Sequence, residues 1–230
     1  MTPFCLALRQ TIRKELKMKV LITGFNPFGG ESKNPAYEAV KRLPDGFENI
    51  EIVKVEVPTE FYDSVKVLRH HVEKERPDIV ICVGQAGGRA AVSIERVAIN
   101  IDDARIPDNA GNQPIDEAIV ENGPAAYFST LPIKAMANAI REDGIPATVS
   151  NSAGTYVCNH IMYGLMHMID TSFSATRGGF IHVPYLEEQV LDKPNMPSMS
   201  LASITKALET AVKTACSVRE DIQKSEGTVC

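Results

Sequence analysis

Long apolar runs and a secretory leader are both missing from the sequence. No stretch approaches the roughly 18 consecutive apolar residues that a bilayer-spanning helix needs. At the N-terminus, MTPFCLALRQTIRKELK places its charges after a short apolar piece, which is the reverse of a secretory signal. We therefore expect a cytosolic protein with no membrane partner.

Clustered positive charge is also missing. The chain has 24 Lys and Arg against 29 Asp and Glu, a net charge of −5 at pH 7, and its basic residues are scattered among acidic ones. Proteins that bind polyanions carry a basic patch or stripe. Nucleic acid is therefore not an expected partner.

Cysteines are few and dispersed. The five lie at positions 5, 82, 158, 216 and 230, with no CxxC pair and no Cys/His ligand cluster, and their number is odd. A disulfide framework and a zinc site are both disfavoured. Cys82 lies within the apolar run DIVICVG and is interpreted as a small core hydrophobe.

What the sequence does contain is an alternation of β-rich runs with amphipathic helical patterns. The predicted strands are 19–25, 50–57, 78–84, 92–100, 146–151 and 178–185. The predicted helices are 35–43, 58–76, 132–143, 157–169 and 198–224. Runs such as DIVICVG are apolar on both faces, which is typical of central strands covered by helices on each side. We predict the α/β class: a three-layer α/β/α sandwich with a mixed, mostly parallel twisted sheet.

The domain organisation follows from length and from one restart in the sequence. A chain of 230 residues, 44% of them hydrophobic, is accommodated by one core. Because KMKVLITGF restarts with Met18 directly before the first strand, we expect residues 1–17 to be an N-terminal extension and residues 18–230 to form a single domain. The longest irregular stretch, 101–131, is a candidate functional loop.

The stretch SNSAGTYVCNHIMYG leaves three roles for Cys158: core packing, a metal ligand with His160, or a nucleophile. The residue heads a predicted buried stripe near the first turn of the 157–169 helix. Unpaired N–H groups and the positive end of the helix dipole favour a thiolate there, which predicts a lowered pKa for Cys158. The small residues of NSAGT favour the nucleophile, because a substrate carbonyl can approach the backbone donors that would hold its oxyanion.

A cysteine nucleophile needs a base, and His182 is the best placed of the five histidines. It interrupts the apolar strand GGFIHVPY near its carboxyl end, where α/β sheets place their sites. His160 is turned about 200° around the helix from Cys158 and should point away. The remaining three lie in a polar helix or too far along the same helix: His70, His71 and His167.

Spacing alone leaves open which acid would orient the histidine. In VSIERVAIN the strand period of two draws one of Glu95 and Arg96 inward, and a buried carboxylate requires a partner. For Glu95 that partner is His182 or an arginine. The other acids available to His182 are Asp102, Asp103 and Asp108.

Two glycine-rich loops follow predicted strands. GQAGGR, residues 84–89, lacks both common phosphate-loop spacings, so a turn whose backbone meets a small ligand is favoured over a phosphate site. GFNPFGG, residues 24–30, holds Phe25 and Phe28, which either flank a flat apolar ligand or cover the core.

Taken together, six motifs resemble the pyrrolidone-carboxylate peptidases, or pyroglutamyl peptidase type I. They occur in order between about Met18 and Leu208: GFNPFGG, VGQAGGR, ERVAIN, ARIPDN, AGTYVCNH and GGFIHVPY. The resemblance implies a cytosolic cysteine exopeptidase that removes N-terminal pyroglutamate through a thioester. It implies Cys158 as nucleophile, His182 as general base and then acid, and Glu95 as the group that orients the histidine. It also implies a homotetramer without metal or other cofactor.

The same resemblance implies a substrate pocket. Phe25 and Phe28 would flank the pyrrolidone ring, and Gln85 would bond its lactam amide. The backbone N–H groups of Arg105 and Cys158 would bind the oxyanion. Two further residues would line the pocket, Tyr156 and Val157. Phenylalanine is usual where Tyr156 stands, so an additional hydroxyl is expected close to the substrate.

Two other functions stay open on the sequence. One is a nucleoside phosphorylase or another sugar-phosphate enzyme, with GQAGGR holding phosphate. The other is a ligand-binding module in which Cys158 only packs.

Overall fold

The structure is a computed structural model that describes residues 17–227. Residues 1–16 of the predicted N-terminal extension lie outside the described residues, as does Cys230. The division into an extension and a single domain stays a prediction.

Within residues 17–227, nine strands form two sheets. They are β1 (Met18–Phe25), β2 (Gly46–Phe47), β3 (Ile50–Val57), β4 (Ile79–Gln85), β5 (Val92–Glu95), β6 (Val97–Ile99), β7 (Ala126–Phe128), β8 (Ala147–Ser150) and β9 (Arg177–Val183). The main sheet has the order β2-β3-β1-β4-β9-β5-β8, and β6 pairs with β7 in a separate antiparallel ribbon.

The main sheet is mixed and mostly parallel, as predicted. Strands β3, β1, β4 and β9 run parallel to one another. The direction reverses between β9 and β5, which pair antiparallel with Ser93 opposite His182, and β8 runs parallel to β5. The reversal brings the short strand β5 against the carboxyl-terminal half of β9.

Helices cover both faces of this sheet. They are α1 (Pro35–Arg42), α2 (Asp63–Glu75), α3 (Ile133–Glu142), α4 (Val157–Ser172) and α5 (Leu201–Ser217), with a short 3-10 helix at Glu187–Val190. Helices α1, α3 and α5 share one buried cluster with one face of the sheet, and α2 and α4 share a second cluster with the other. The predicted three-layer α/β/α sandwich is confirmed. None of the helices in residues 17–227 has the length and apolar character to cross a membrane.

Side-chain alternation along β4 divides the core between these two layers. Ile79, Ile81 and Val83 face the α1/α3/α5 layer, whereas Val80 and Cys82 face the α2/α4 layer. Cys82 is fully buried, as predicted. By the same alternation, Gly84 faces the α2/α4 layer and Gln85 faces the α1/α3/α5 layer.

Three predicted elements differ clearly from the structure. The helix expected at 198–224 spans only Leu201–Ser217, and two others are shortened or broken where distant loops hold their backbones. The helix expected at 58–76 begins only at Asp63. Just before it, Thr59 N–H donates to the Asn26 side chain and Phe61 N–H to Asp108. The strand expected at 92–100 is broken at Arg96, whose N–H donates to Ser150 O while its carbonyl accepts from Ser129 N–H. Residues on either side of Arg96 therefore belong to different sheets.

The predicted amphipathic pattern of the Cys158 helix is wrong in one respect. Helix α4 is buried around most of its circumference, because α2, β6 and β7 cover the side that faces away from the main sheet. Tyr163 and Met162 on this helix are fully buried. The helix that carries Cys158 is thus a central element rather than a surface one.

Candidate active site

Cys158 lies where α4, β4 and β9 converge. Helix α4 begins at Val157, with Tyr156 at the cap position, so Cys158 belongs to its first turn. A Cβ atom added to Gly84 would lie 2.9 Å from Cys158 Sγ, so the sulfur rests directly on the end of β4. Gly84 is in turn opposite His182 in the sheet. The convergence brings a thiol and an imidazole to one edge of the sheet.

The predicted lowering of the Cys158 pKa is wrong. Burial between α4 and the sheet raises the pKa of this thiol to about 12, and the negative charge of Glu95 adds to the effect. Desolvation of a thiolate inside the layer outweighs the favourable field at the helix N-terminus. A raised pKa disfavours the thiolate, so a reaction through this sulfur needs a nearby base to accept the proton.

His182 and Glu95 form a buried pair beside this thiol. The distance from His182 Nδ1 to Glu95 Oε1 is 2.6 Å, and the residues are 4% and 0% exposed. Because β5 is antiparallel to β9, Glu95 lies one diagonal step from His182 on the same face of the sheet. Of the acids that spacing left open, the structure brings Glu95 to His182.

The other acids serve different partners. Asp108 accepts from the N–H groups of Phe61, Ala110 and Asn112, which holds the loop around it. Asp102 Oδ2 lies 2.7 Å from His160 Nδ1. Asp103 is exposed. None of these three acids bonds to His182 within residues 17–227.

His160 points away from Cys158, as predicted from helical geometry. Its Nε2 accepts from Tyr62 N–H at 3.1 Å, so the ring proton is on Nδ1 and donates to Asp102. Both ring nitrogens are therefore used inside the protein. Among residues 17–227 no group of three or more His, Cys, Asp or Glu side chains is arranged to hold a metal ion.

Arg89 is a member of the site that sequence reasoning missed. Its Nη1 lies 2.7 Å from Glu95 Oε1, the same oxygen that His182 approaches. The sequence left either a histidine or an arginine as the partner of Glu95, and in the structure Glu95 has both partners. The sequence feature that could have indicated this contact is proximity in the chain. Arg89 ends the GQAGGR loop six residues before Glu95, one of the two residues expected to turn inward.

These contacts keep Glu95 ionised. Burial by itself raises the pKa of this carboxyl, but the bond from His182, the Ser150 hydroxyl and the charge of Arg89 together hold the pKa below its usual value. An ionised carboxylate only accepts hydrogen bonds, so the proton of the shared bond belongs to His182 Nδ1. In the neutral imidazole this arrangement leaves Nε2 of His182 without a proton, so that nitrogen can act as a base.

Three aromatic side chains and Val157, all predicted to line the substrate pocket, lie on the same side of the sheet as Cys158. Phe25 and Val157 are buried in the α2/α4 core, and the Phe25 ring lies 6.4 Å from that of Phe180. Phe28 and Tyr156 are half-buried above them, with ring centroids 6.5 Å apart. The structure therefore brings all four of these predicted pocket residues to the Cys158 side of the sheet.

The additional hydroxyl of Tyr156 holds a loop. It donates to Pro107 O at 3.0 Å, within the ARIPDN segment that also contains Arg105. Next to it, Thr155 Oγ1 donates to Asp103 O and Thr155 O accepts from Asp103 N–H. The start of α4 and the Arg105 loop are thereby bound together, while the Arg105 side chain is exposed.

The Gln85 side chain does not join the others. It follows Gly84 on β4 and so faces the opposite layer, where its Oε1 accepts from Gln189 Nε2 at 3.0 Å. The Gln189 orientation is determined by its Oε1, which accepts from Leu186 N–H. Only the backbone of Gln85 lies at the edge of the sheet next to Gly84 and His182.

Gly84 admits no larger residue, which gives a testable result. A Cβ there would lie 2.7 Å from Phe180 Cζ and 2.9 Å from Cys158 Sγ. We expect Gly84→Ala to reduce the free energy of unfolding by about 1–3 kcal/mol and, by displacing the sulfur, to lower the turnover of folded enzyme on the order of 100-fold.

Gly164→Ala is the matched control for this substitution. Its Cβ would crowd Val65 Cγ2 at a similar distance, 2.7 Å, but on the α2 side of α4. The Gly164→Ala variant should be less stable but should keep its activity per folded molecule. Equal activities for the two variants, measured after active-site titration, would contradict the placement of Cys158 Sγ on Gly84.

An α/β/α sandwich with a cysteine in the first turn of a helix, beside a buried histidine and carboxylate, is typical of cysteine-type hydrolases. The site holds a thiol, an imidazole, and a carboxylate that is hydrogen-bonded to the imidazole. These are the groups that acyl transfer through sulfur requires.

Comparison with known proteins specifies the family. A family model described as pyroglutamyl peptidase matches residues 18–218. The pyrrolidone-carboxylate peptidase of Clostridium botulinum is 58% identical over 213 residues, covering 93% of this chain and all of that protein. The pyrrolidone-carboxylate peptidase of Thermosipho africanus is 61% identical over 196 residues, 85% of this chain and 96% of that protein. The chain belongs to the pyroglutamyl peptidase family, and the predicted resemblance is confirmed.

Solved structures agree with the sequence relatives. The crystal structure of pyroglutamyl peptidase I from Bacillus amyloliquefaciens is 55% identical, with a TM-score of 0.89, and covers 91% of this chain and 100% of that chain. Pyrrolidone carboxyl peptidase from Thermococcus litoralis is 42% identical, with a TM-score of 0.87, covering 90% and 99%. The prediction of a cysteine-type peptidase is confirmed by this membership.

Proposed function

We propose that this chain is a pyroglutamyl-peptidase I that removes N-terminal pyroglutamate from peptides through Cys158, His182 and Glu95. The observation that carries the proposal is the 2.6 Å bond between His182 and a fully buried Glu95, next to the thiol that rests on Gly84. The names of the relatives, which are peptidases for pyrrolidone carboxylate, supply the substrate class.

In the first step Cys158 Sγ attacks the substrate while its proton is transferred to His182 Nε2. Because the thiol has a raised pKa, this transfer accompanies attack on the pyroglutamyl carbonyl rather than preceding it. The sulfur forms a bond to the carbonyl carbon, and the backbone N–H groups of Cys158 and Arg105 hold the resulting oxyanion. His182 then donates its proton to the leaving amine, the peptide bond breaks, and a thioester remains.

Hydrolysis of the thioester returns the enzyme to its starting state. Water transfers a proton to His182 Nε2 as its oxygen attacks the thioester carbonyl, and the proton passes to the sulfur when the C–S bond breaks. Glu95 keeps Nδ1 protonated throughout, so the same nitrogen of His182 serves in both halves of the reaction.

Substrate selection follows from what pyroglutamate lacks. Its lactam has no charged amine, so an acidic residue is not needed to bind it, and an apolar slot with few hydrogen bonds is sufficient. Phe25, Phe28, Tyr156 and Val157 would form that slot. Gln85 would bond the lactam amide through its backbone, because its side-chain oxygen is bound by Gln189 on the other face of the sheet.

The phosphate-dependent alternative is not favoured. The GQAGGR loop lacks both common phosphate-loop spacings, and the guanidinium of its one cationic residue, Arg89, lies on Glu95. A cytosolic location and a homotetramer stay predictions, and no metal or other cofactor takes part in the proposed steps.

The proposal is tested with pyroglutamyl, prolyl and alanyl anilides, before and after exhaustive alkylation with iodoacetamide. We expect turnover of the pyroglutamyl anilide alone, and its loss on alkylation. The prolyl compound keeps the five-membered ring but has a methylene in place of the lactam carbonyl and therefore a basic amine, so it is the matched control for lactam recognition. Turnover that needs phosphate and survives alkylation would instead support a sugar-phosphate enzyme.

A further inference from the structure

Glu95 is a fully buried carboxylate. A neutral imidazole can donate a hydrogen bond to it but does not neutralise its negative charge. Unpaired buried charges cost several kcal/mol or neutralise by taking up a proton. A protonated Glu95 would offer His182 a donor in place of an acceptor and would favour the wrong tautomer. The proposed reaction therefore needs a second group that keeps Glu95 ionised.

We propose that Arg89 is the positioning residue of this reaction, holding Glu95 ionised and in place so that His182 presents Nε2 to Cys158. This inference rests on the proposed function. Arg89 Nη1 and His182 Nδ1 both meet Glu95 Oε1, at 2.7 Å and 2.6 Å. When His182 takes a proton from Cys158, the guanidinium also reduces the tendency of that proton to move on to Glu95.

The chain holds Arg89 in this position by a tight turn. Arg89 N–H donates to Ala86 O, and Gly88 adopts a φ of 86°, which favours glycine. Ala86 N–H donates to Val183 O, next to His182, so the turn is fastened to β9. The Arg89 side chain is 35% exposed, along a cleft of about 490 Å³. A guanidinium that reaches from this cleft to a fully buried carboxylate is placed to act on Glu95 from outside the core.

Arg96 provides the contrast. It follows Glu95 directly in the chain, yet its guanidinium faces elsewhere, with Nε donating to Asn151 Oδ1 and Nη2 to Glu226 O. Both arginines carry a full charge close to Glu95 in sequence, but only Arg89 bonds to it. A substitution at Arg96 therefore controls for loss of a nearby charge without loss of the contact.

The expected pH dependence has a definite sign. The groups that face Glu95 are His182 from β9, Cys158 from α4, the Ser150 hydroxyl from β8, and Arg89. The Arg89 charge is one of the contributions that lower the Glu95 pKa. Its removal moves this pKa upward, so Glu95 becomes protonated at a higher pH and the acid limb of the kcat/KM profile moves to higher pH.

The experiment compares Arg89→Gln, Arg89→Lys and Arg96→Gln in steady-state turnover of a pyroglutamyl anilide from pH 5 to 9. For Arg89→Gln we expect kcat to fall about 10- to 100-fold, the size of one hydrogen bond to a charged group, with KM changed less than about 2-fold and the acid limb displaced upward. Arg89→Lys should recover part of kcat and restore the acid limb. Arg96→Gln should match the unsubstituted enzyme.

A double substitution tests whether Arg89 acts through Glu95. In the Glu95→Gln background, Arg89→Gln should cost less than about 2-fold more, because the group it positions is already lost. An equal loss in both backgrounds, or an unmoved acid limb in Arg89→Gln, would overturn the proposal. If the unsubstituted enzyme turns over no pyroglutamyl anilide, the proposed function fails; if it does and Arg89→Gln behaves as Arg96→Gln, only the role of Arg89 fails.

Discussion

Cys158→Ala is expected to abolish turnover of a pyroglutamyl anilide while leaving the fold intact. No other cysteine in the described residues can replace the sulfur, because Cys82 is buried within β4 and Cys216 lies on α5 in the opposite helix layer. We expect kcat to fall by at least about 10⁴-fold, as when the nucleophile is removed from a catalytic triad.

The fold should survive because the substitution removes a single atom. The free energy of unfolding should change by about 1 kcal/mol, the typical size for a point substitution, which thermal unfolding measures. Cys216→Ala is the matched control, since it removes a half-buried thiol remote from Gly84 and should leave turnover unchanged. Turnover in Cys158→Ala above about one hundredth of the original would refute a covalent role for this residue.

His182→Gln is expected to have the second largest effect, a fall in kcat of about 10²- to 10⁴-fold, the usual contribution of a general base. The loss is severe here because the raised pKa leaves almost no thiolate at Cys158 without assistance. Glutamine retains a donor for Glu95 but cannot accept a proton. The variant therefore separates the chemistry of the imidazole from its packing.

His167→Gln is the matched control. His167 lies on α4, the helix that carries Cys158. Its Nδ1 is 3.0 Å from the Tyr127 hydroxyl, away from Cys158. It should retain full turnover. Because His182 and Glu95 act as one unit, adding Glu95→Gln to His182→Gln should cost little more than His182→Gln alone. Additive losses, measured in single-turnover assays, would contradict a shared role for the pair.

Several parts of the site could be predicted from local patterns. The run DIVICVG predicted a central strand because it is apolar on both faces, and β4 follows it closely at Ile79–Gln85. The stretch before Cys158 predicted a helix start, and α4 begins at Val157. His182 stood out as the one polar interruption near the end of an apolar strand, and it lies where β9 ends. Each of these features depends only on residues close together in the chain.

Other parts could not be predicted locally because they depend on strand pairing. Spacing left Glu95 among several acids until the resemblance favoured it, and the structure brings it to His182 because β5 pairs antiparallel with β9. The same pairing brings Arg89 onto Glu95 from a loop that the sequence marked only as a turn. The face of Gln85 follows from its position after Gly84 in a strand that has helices on both sides.

The sequence by itself determined the α/β layers, the cysteine at the start of a helix and the histidine at the end of a strand, because hydrophobic periodicity and capping are local. Only the tertiary structure decided how these groups are charged. Burial beneath α4 raises the pKa of Cys158, although the helix start alone favours a thiolate. The contacts of His182 and Arg89 lower the pKa of Glu95, although burial alone favours its protonation. In both cases the outcome depends on solvent exclusion and on charges from distant segments, which no local pattern contains.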